Sequence, residues 1–162
     1  MTDISFLDEK DAEEILPVLF GLLSSNMERI DPSGAPPGED YRIWKDYRLS
    51  ETGKPGKATL LLKQDGSIIG YFQYSINDSV FSMEEIQFVP SVWGTGVFRE
   101  LYRYLAKIIP EDVTAVEAYA SKKNLRSQAI LKHLGLEISG ENKSGRSFHF
   151  TGDCRKMLER YR

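Results

Sequence analysis

Cysteine is nearly absent from this chain. Cys154 is the single one among 162 residues, so no internal disulfide can form and no Cys-x-x-Cys metal site exists. Histidine is almost as scarce: His133 and His149 are the only two, and they stand too far apart for metal-ligand spacing. No apolar run approaches the roughly 20 residues that span a bilayer. The first residues, from Met1 to Phe6, have neither the charged lead nor the apolar stretch of a secretory signal. A basic surplus is missing too, with Lys+Arg 21 against Asp+Glu 24 and a formal net charge of −3. Binding to nucleic acid or to an anionic membrane usually needs such a surplus. The basic run near the C-terminus (Arg155, Lys156, Arg160 and Arg162) reads as a solvated helix face. These absences lead us to expect a cytoplasmic protein with no nucleic-acid and no membrane partner. What remains is ordinary for a globular protein, at 41% hydrophobic and 28% charged residues. The length suits one domain over residues 1–162, large enough to bury a core.

Periodicity orders the elements. Residues 3–7 read as a strand. A helix follows over 8–25, with apolar residues from Ala12 to Leu23 at helical spacing and an expected kink at Pro17. Residues 29–40 are rich in Pro and Gly and read as a loop, a candidate substrate lid or a plain surface connection. A short helix is expected over 41–49. Strands over 58–64 and 68–76 join across Asp65 and Gly66, a strong hairpin signal. Asn77 and Asp78 turn the chain into a third strand, 80–89. A helix over 96–109 ends at Pro110, a strand covers 113–119, and a helix over 124–134 stops at Gly135. Strands 136–139 and 147–151 flank a turn, and a last helix covers 153–161. The expected fold class is α+β, a mixed, mostly antiparallel sheet flanked by helices in the order β-α-α-β-β-β-α-β-α-β-β. The unit from 80 to 119 predicts a parallel crossover.

The richest stretch is Glu85–Leu101, EIQFVPSVWGTGVFREL. A strand ends at Pro90, a short loop follows, and Gly94 and Gly96 precede an amphipathic helix. The first turn of a helix carries N–H groups without backbone acceptors, and its dipole makes that end partly positive. Glycines there tolerate positive φ and let a phosphate come close. This is neither a dinucleotide fingerprint, which needs a third glycine, nor a P-loop, which needs Gly-Lys-Ser/Thr. By itself Gly-x-Gly also fits an ordinary tight turn.

The stretch Pro90–Leu101 resembles motif A of the GNAT superfamily of acetyl-CoA-dependent N-acyltransferases, approximately Pro-x-x-Arg/Gln-Gly-x-Gly-x-Gly/Ala-x-x-Leu. Asn124 to Leu136, NLRSQAILKHLGL, is similar to motif B of that family, Asn-x-x-Ser/Ala ending in Leu-Gly-Phe. The resemblance implies acetyl-CoA (coenzyme A) as the cofactor. It implies that the amides of Gly94, Thr95, Gly96 and Val97, helped by Trp93 and Phe98, hold the pyrophosphate. Backbone groups of Phe88 and Val89 would serve the pantetheine and the acetyl carbonyl, and Asn124 and Ser127 would lie along the pantetheine arm. The sequence departs from the pattern in three places. Trp93 replaces Arg or Gln, Phe98 replaces a small residue, and Leu131 stands where many members carry a tyrosine acid. Trp93 and Leu131 are also similar to the branch that acetylates ribosomal-protein N-termini.

Acetylating an amine requires removing a proton from a group with a pKa near ~10.4. Glu85, on the strand before Phe88, is the first candidate base, with Glu84 next if the register slips by one. Tyr119 and Ser121 are candidates for the acid beside the sulfur. His133 reads as structural, and nothing marks Cys154 as a nucleophile. Tyr41, Trp44, Tyr47 and Tyr71 are candidates for an acceptor pocket, with Glu28, Asp31, Glu39 and Asp40 attracting a cationic amine; at helical spacing such aromatics also read as core. The acceptor is expected to be a primary amine of a small molecule or peptide, and a homodimer is compatible with the sequence. The alternatives are a non-catalytic acyl-CoA sensor of the same fold, or an interaction domain whose Gly-x-Gly is only a turn.

Overall fold

The computed structural model describes residues 2–36 and 38–162. Its elements are β1 (Asp3–Phe6), α1 (Ala12–Glu28), α2 (Glu39–Glu51), β2 (Lys57–Gln64), β3 (Ser67–Asn77), β4 (Val80–Phe88), α3 (Val97–Ile108), β5 (Ala115–Ser121), α4 (Leu125–His133), β6 (Glu137–Glu141), β7 (Ser147–Asp153) and α5 (Cys154–Glu159). Seven strands form one sheet in the order β1-β2-β3-β4-β5-β7-β6. Among the described residues, only β4 and β5 pair in parallel, joined through α3 as the crossover. The α+β class and the element order expected from the sequence hold throughout. Among the described residues, no helix is long and apolar enough to cross a membrane.

Strand alternation distributes the apolar residues to two faces. Leu60, Leu62, Phe72, Phe81 and Phe150 form one core with Leu101, Tyr102 and Leu105 of α3, Leu131 and Leu134 of α4, and Met157 and Leu158 of α5. On the opposite face, Leu61 and Tyr71 pack with Leu16 and Leu19 of α1 and with Trp44 and Leu49 of α2. Helices α1 and α2 cover this face over the β2–β4 half and leave Tyr119 on β5 about half exposed.

Several boundaries differ from the sequence reading for local reasons. A 3-10 turn, Glu9–Asp11, capped by the Asp8 carboxylate, precedes α1. The helix then runs through Pro17 without a break to Glu28. Glu39 and Asp40 belong to α2 and not to the preceding loop. The hairpin at Asp65 and Gly66 has φ of 51° and 79°, both positive as a type I′ turn requires. The strand expected over 113–119 is displaced to Ala115–Ser121, because Val113 N–H closes a turn on Pro110 O and pairing begins at Ala115. Tyr119 and Ser121 therefore lie within β5, and Tyr119 sits opposite His149 of β7.

Gly70 sets how closely β3 and β4 lie at the end nearest α3. A Cβ at this position would come 2.4 Å from Phe88 Cδ1 and 2.7 Å from Gln87 O. Gly70→Ala is expected to displace Phe88 and lower the unfolding free energy by about 1–3 kcal/mol, measurable by urea denaturation.

Candidate functional site

The loop between β4 and α3 is a compact cradle. Pro90–Val92 form a 3-10 turn, and Trp93 N–H and Thr95 N–H donate back to Pro90 O and Val92 O at 3.1 and 3.2 Å. Thr95 Oγ1 adds a 2.6 Å bond to Val92 O. Those two amides are thus committed inside the turn. Gly94 and Gly96 take φ of 77° and 95°, which any other residue adopts only at a cost. Gly96 is the N-cap of α3, and no side chain caps that end. The N–H groups of Gly94, Gly96, Val97 and Phe98 have no protein acceptor among the described residues. A Cβ on either glycine would meet nothing within 4 Å, so the space beside both glycines is open. Arg99 and Arg103 line a cleft of about 590 Å³ beside it.

Next to this cradle the sheet opens. Pairing of β4 with β5 spans Val80/Ala115 to Met83/Ala118 and then stops, although both strands continue. Val89 N–H donates to Ile69 O at 2.8 Å, so it points into the sheet toward β3. In an antiparallel ladder the main-chain direction alternates, so Ile86 and Phe88 turn their N–H groups toward the gap. Asn26 of α1 reaches the same place: its Nδ2 donates to Gln87 Oε1 at 2.9 Å and to Phe88 O at 3.0 Å. Asn26 is buried and its Oδ1 has no partner. The sequence reading missed it, although it continues the Leu19, Leu22 and Leu23 stripe of α1 at helical spacing, where a polar residue is out of place.

The carboxylates expected on β4 are both present on one face. A bulge between Gln73/Glu85 and Tyr74/Met83 makes Glu84 the extra residue, which resets the alternation. Glu85 Oε2 pairs with Arg48 at 2.6 Å, and its Oε1 accepts from Tyr71 Oη at 2.7 Å. Glu84 pairs with Arg48 at 3.2 Å and with Lys57 at 2.7 Å. Burial pushes the Glu84 carboxyl up, but hydrogen bonds from Lys57 and Ser75 and the charges of Lys57 and Arg48 outweigh it, and the net shift is downward. The Glu84 bond raises the Lys57 ammonium. Burial, then the Glu85 charge, drives the Tyr71 phenol far above its usual range. Tyr71 is fully buried, while Tyr41 and Trp44 pack on Phe20. Of the aromatic set named from sequence, Tyr71 and Trp44 therefore belong to the α1–α2 core, while Tyr47 is exposed with Arg48 over its ring. Glu39 and Asp40 lie on α2, where Asp40 accepts from Ser33. Asp31 pairs with Lys123 at 3.2 Å, tying the segment after α1 to the turn after β5.

On the same face, a second polar cluster crosses the seam. Ser82 Oγ donates to Glu117 Oε1 at 2.7 Å, and Glu117 Oε2 lies 3.0 Å from His149 Nε2. Tyr119 stacks on the His149 ring at 4.5 Å and 15°. The Ser82 bond, followed by that to His149, lowers the Glu117 carboxyl against the opposing effect of burial. Neither Glu117 nor His149 carried a sequence signal, because only the β5–β7 register brings them together. Asn124 caps α4, its Oδ1 accepting from Ser127 N–H at 3.0 Å, and its Nδ2 has no protein partner among the described residues. Leu131 is buried in the core. Arg126 of α4 lies over the Trp93 ring, 3.8 Å from its centroid. His133 is exposed, and burial raises the Cys154 thiol, which suits a structural residue.

An amide cradle at a helix start, beside two parting parallel strands, is matched in sequence by the acetyltransferase (GNAT) domain over residues 5–137. The chain belongs to that family. No curated protein matches it in sequence. Similar solved structures include the PaiA N-acetyltransferase of Thermoplasma acidophilum in complex with coenzyme A, at 16% identity and TM-score 0.71, covering 94% of this chain and 99% of that one. Mutant forms of the spermidine/spermine N-acetyltransferase SpeG of Vibrio cholerae give 15% identity and TM-score 0.65, covering 99% and 98%. The ribosomal-protein-S18-alanine N-acetyltransferase of Escherichia coli gives 17% and 0.62, covering 93% and 91%. At these identities the likeness is one of fold.

Arg48 holds two carboxylates in a largely buried position, and breaking such a set leaves charge uncompensated. Arg48→Ala is expected to cost about 3 kcal/mol in chemical denaturation. Glu84 and Glu117 are held below the ordinary 4.5. Their contribution to stability is full above the unfolded value and lost as pH falls through the lowered folded values. Thermal melts of the GNAT domain should show Tm declining below about pH 4.5, with a shallower decline in a Glu84→Gln, Glu117→Gln double variant.

Proposed function

We propose that this GNAT domain, read as one unit over residues 1–162, transfers an acetyl group from acetyl-CoA to a primary amine of a small molecule or peptide. The observation that carries the reading is the set of amides at Gly94, Gly96, Val97 and Phe98 with no protein acceptor among the described residues, at the start of α3 beside the gap between β4 and β5. Four unpartnered N–H donors at the positive end of a helix suit a diphosphate. The residues present therefore fit coenzyme A. Asn124, through its free Nδ2, is placed for the pantetheine amide, and Ser127 lies one turn along α4. The N–H groups of Ile86 and Phe88 polarise the thioester carbonyl, a contribution that needs no side chain. Val89 supports them from inside the sheet.

Trp93 removes the usual cation from the turn, and Arg126 supplies one by stacking on it. A cation held over an indole face is oriented without a carboxylate partner, so its charge stays available to phosphate. The bound thioester supplies the activated acyl group. Helices α3 and α4 cover one face of the gap, and the amine enters from the other, where Glu85, Tyr119 and His149 lie.

Acetyl-CoA at ~100 times its dissociation constant should stabilise the fold by ~2.7 kcal/mol, seen as a rise in Tm that ATP and NAD do not produce. Gly96→Glu should abolish the rise, since it places bulk and negative charge over the free amides. Arg126→Gln should weaken coenzyme A binding about tenfold by calorimetry, and in a Trp93→Ala background it should weaken it no further. Thiol release measured with n-butylamine, spermine and an alanine-leading tripeptide then separates a transferase from an acyl-CoA sensor. No rise in Tm with acetyl-CoA in the wild type would overturn the reading.

A further inference from the structure

The polar chain across the β4–β5–β7 seam has no role in holding the cofactor, and its chemistry differs from that of the two glutamates on β4. Both oxygens of Glu85 are taken, one by Arg48 and one by Tyr71, and both oxygens of Glu84 are taken by Arg48 and Lys57. A carboxylate whose lone pairs are spent on a guanidinium is a poor proton acceptor. His149 is arranged the other way. Its Nε2 faces the Glu117 carboxylate at 3.0 Å, which fixes the proton on Nε2 and leaves the lone pair on Nδ1. Nδ1 has no protein partner among the described residues. Ser82 holds the other Glu117 oxygen, and Tyr119 stacks on the ring, so the imidazole is held at its edge by Glu117 and on one face by Tyr119.

Position agrees with this. Ser82 and Glu84 share a face of β4 by alternation, so Glu117, Tyr119 and His149 stand on the amine-entry side. Tyr119 is the first β5 residue beyond the last β4 pair, Met83/Ala118. On β6, Gly140 lies opposite His149 and presents no side chain. The other charges nearby are paired with each other, Lys122 with Glu141 and Lys123 with Asp31.

Building on the acetyltransferase reading, we infer that His149 is the proton acceptor for the incoming amine and that Glu117 is its positioning residue. His149 Nδ1 takes one proton from the ammonium, and Glu117 stabilises the imidazolium that forms. The nitrogen–carbonyl bond forms as the carbon–sulfur bond breaks, and the departing sulfur takes up the second amine proton. Ammonium and thioester thus become amide, thiol and one proton, which His149 returns to water.

The test uses the whole chain and the three amines above. Histidine resonances are simple to assign, since the protein has two and His149→Gln removes one. Nitrogen-15 spectra of neutral His149 should show the proton on Nε2, and Glu117→Gln should move the tautomer population toward the form protonated on Nδ1. Turnover should fall in the same variant and be largely restored by Glu117→Asp, with the acetyl-CoA thermal shift unmoved. His149→Gln should lose about 100-fold or more in kcat while its acetyl-CoA thermal shift stays at the wild-type size, which also shows that the variant is folded. A proton on Nδ1, a tautomer population that Glu117→Gln leaves unmoved, or His149→Gln retaining most of the wild-type turnover would each overturn the assignment. So would wild type that binds acetyl-CoA but acetylates none of the three amines. Wild type that shows no thermal shift with acetyl-CoA fails the cofactor reading instead.

Discussion

β4 and β5 run parallel, bonded from Val80/Ala115 to Met83/Ala118, and then part. The bulge at Glu84 begins one residue past the last pair. An extra residue in a strand bends it and sharpens its twist, so the bulge is the local cause of the parting. The parting exposes main-chain donors of Ile86 and Phe88 that an ordinary sheet would have consumed. It also places the start of α3 beside the opening, because the crossover from β4 must begin where β4 ends. The gap follows from the bulge and the cradle from the crossover, and β4 brings the two together.

The same bulge explains the charge cluster. By turning Glu84 and Glu85 to one face, it puts two carboxylates under α2, and neither could stay there ionised without a cation. Arg48 meets both, and Lys57 meets one. Buried ion pairs are seldom a net gain over apolar packing, but removing one partner is expensive. Their service here is to lock α2 over the bulge, with Tyr71 Oη and the Arg48 guanidinium as the two clasps on Glu85. The cost of burying Arg48 is visible in its Nε, which has no partner.

Much of this was readable in the sequence, to the extent that local chemistry decided it. The hairpin at Asp65 and Gly66, the stop at Gly135 and the glycines at 94 and 96 each reflect a backbone demand that few residues meet. What was not readable depended on register. Strand alternation alone cannot show that Glu84 is an extra residue, so the two glutamates appeared as alternatives when they are partners. The displaced start of β5 moved Tyr119 from a strand end into a ladder opposite His149. Glu117 and His149 are 32 residues apart in the chain, and no periodicity links them. Asn26 is the intermediate case, a polar residue on an apolar stripe whose purpose appears only once Phe88 O is seen above it.

The departures from the family pattern then sort by the kind of group each step requires. Amides suit a diphosphate and every sequence possesses them, so Trp93 and Phe98 leave the backbone donors of the cradle in place, although Trp93 takes away a side-chain donor. Proton transfer from the amine is different, because no backbone group accepts a proton at neutral pH, and a side chain must be placed for it. The leaving sulfur is less demanding. A thiol with a pKa near ~8.5 departs readily as thiolate and can be protonated by water, whereas the amine, near ~10.4, arrives almost wholly charged. An acid at position 131 is therefore the more dispensable of the two proton handlers, and a leucine there costs less than the loss of a base would. With Leu131 in the core on the α3–α4 face, the polar groups beside the gap that could handle a proton lie on the opposite face of the sheet.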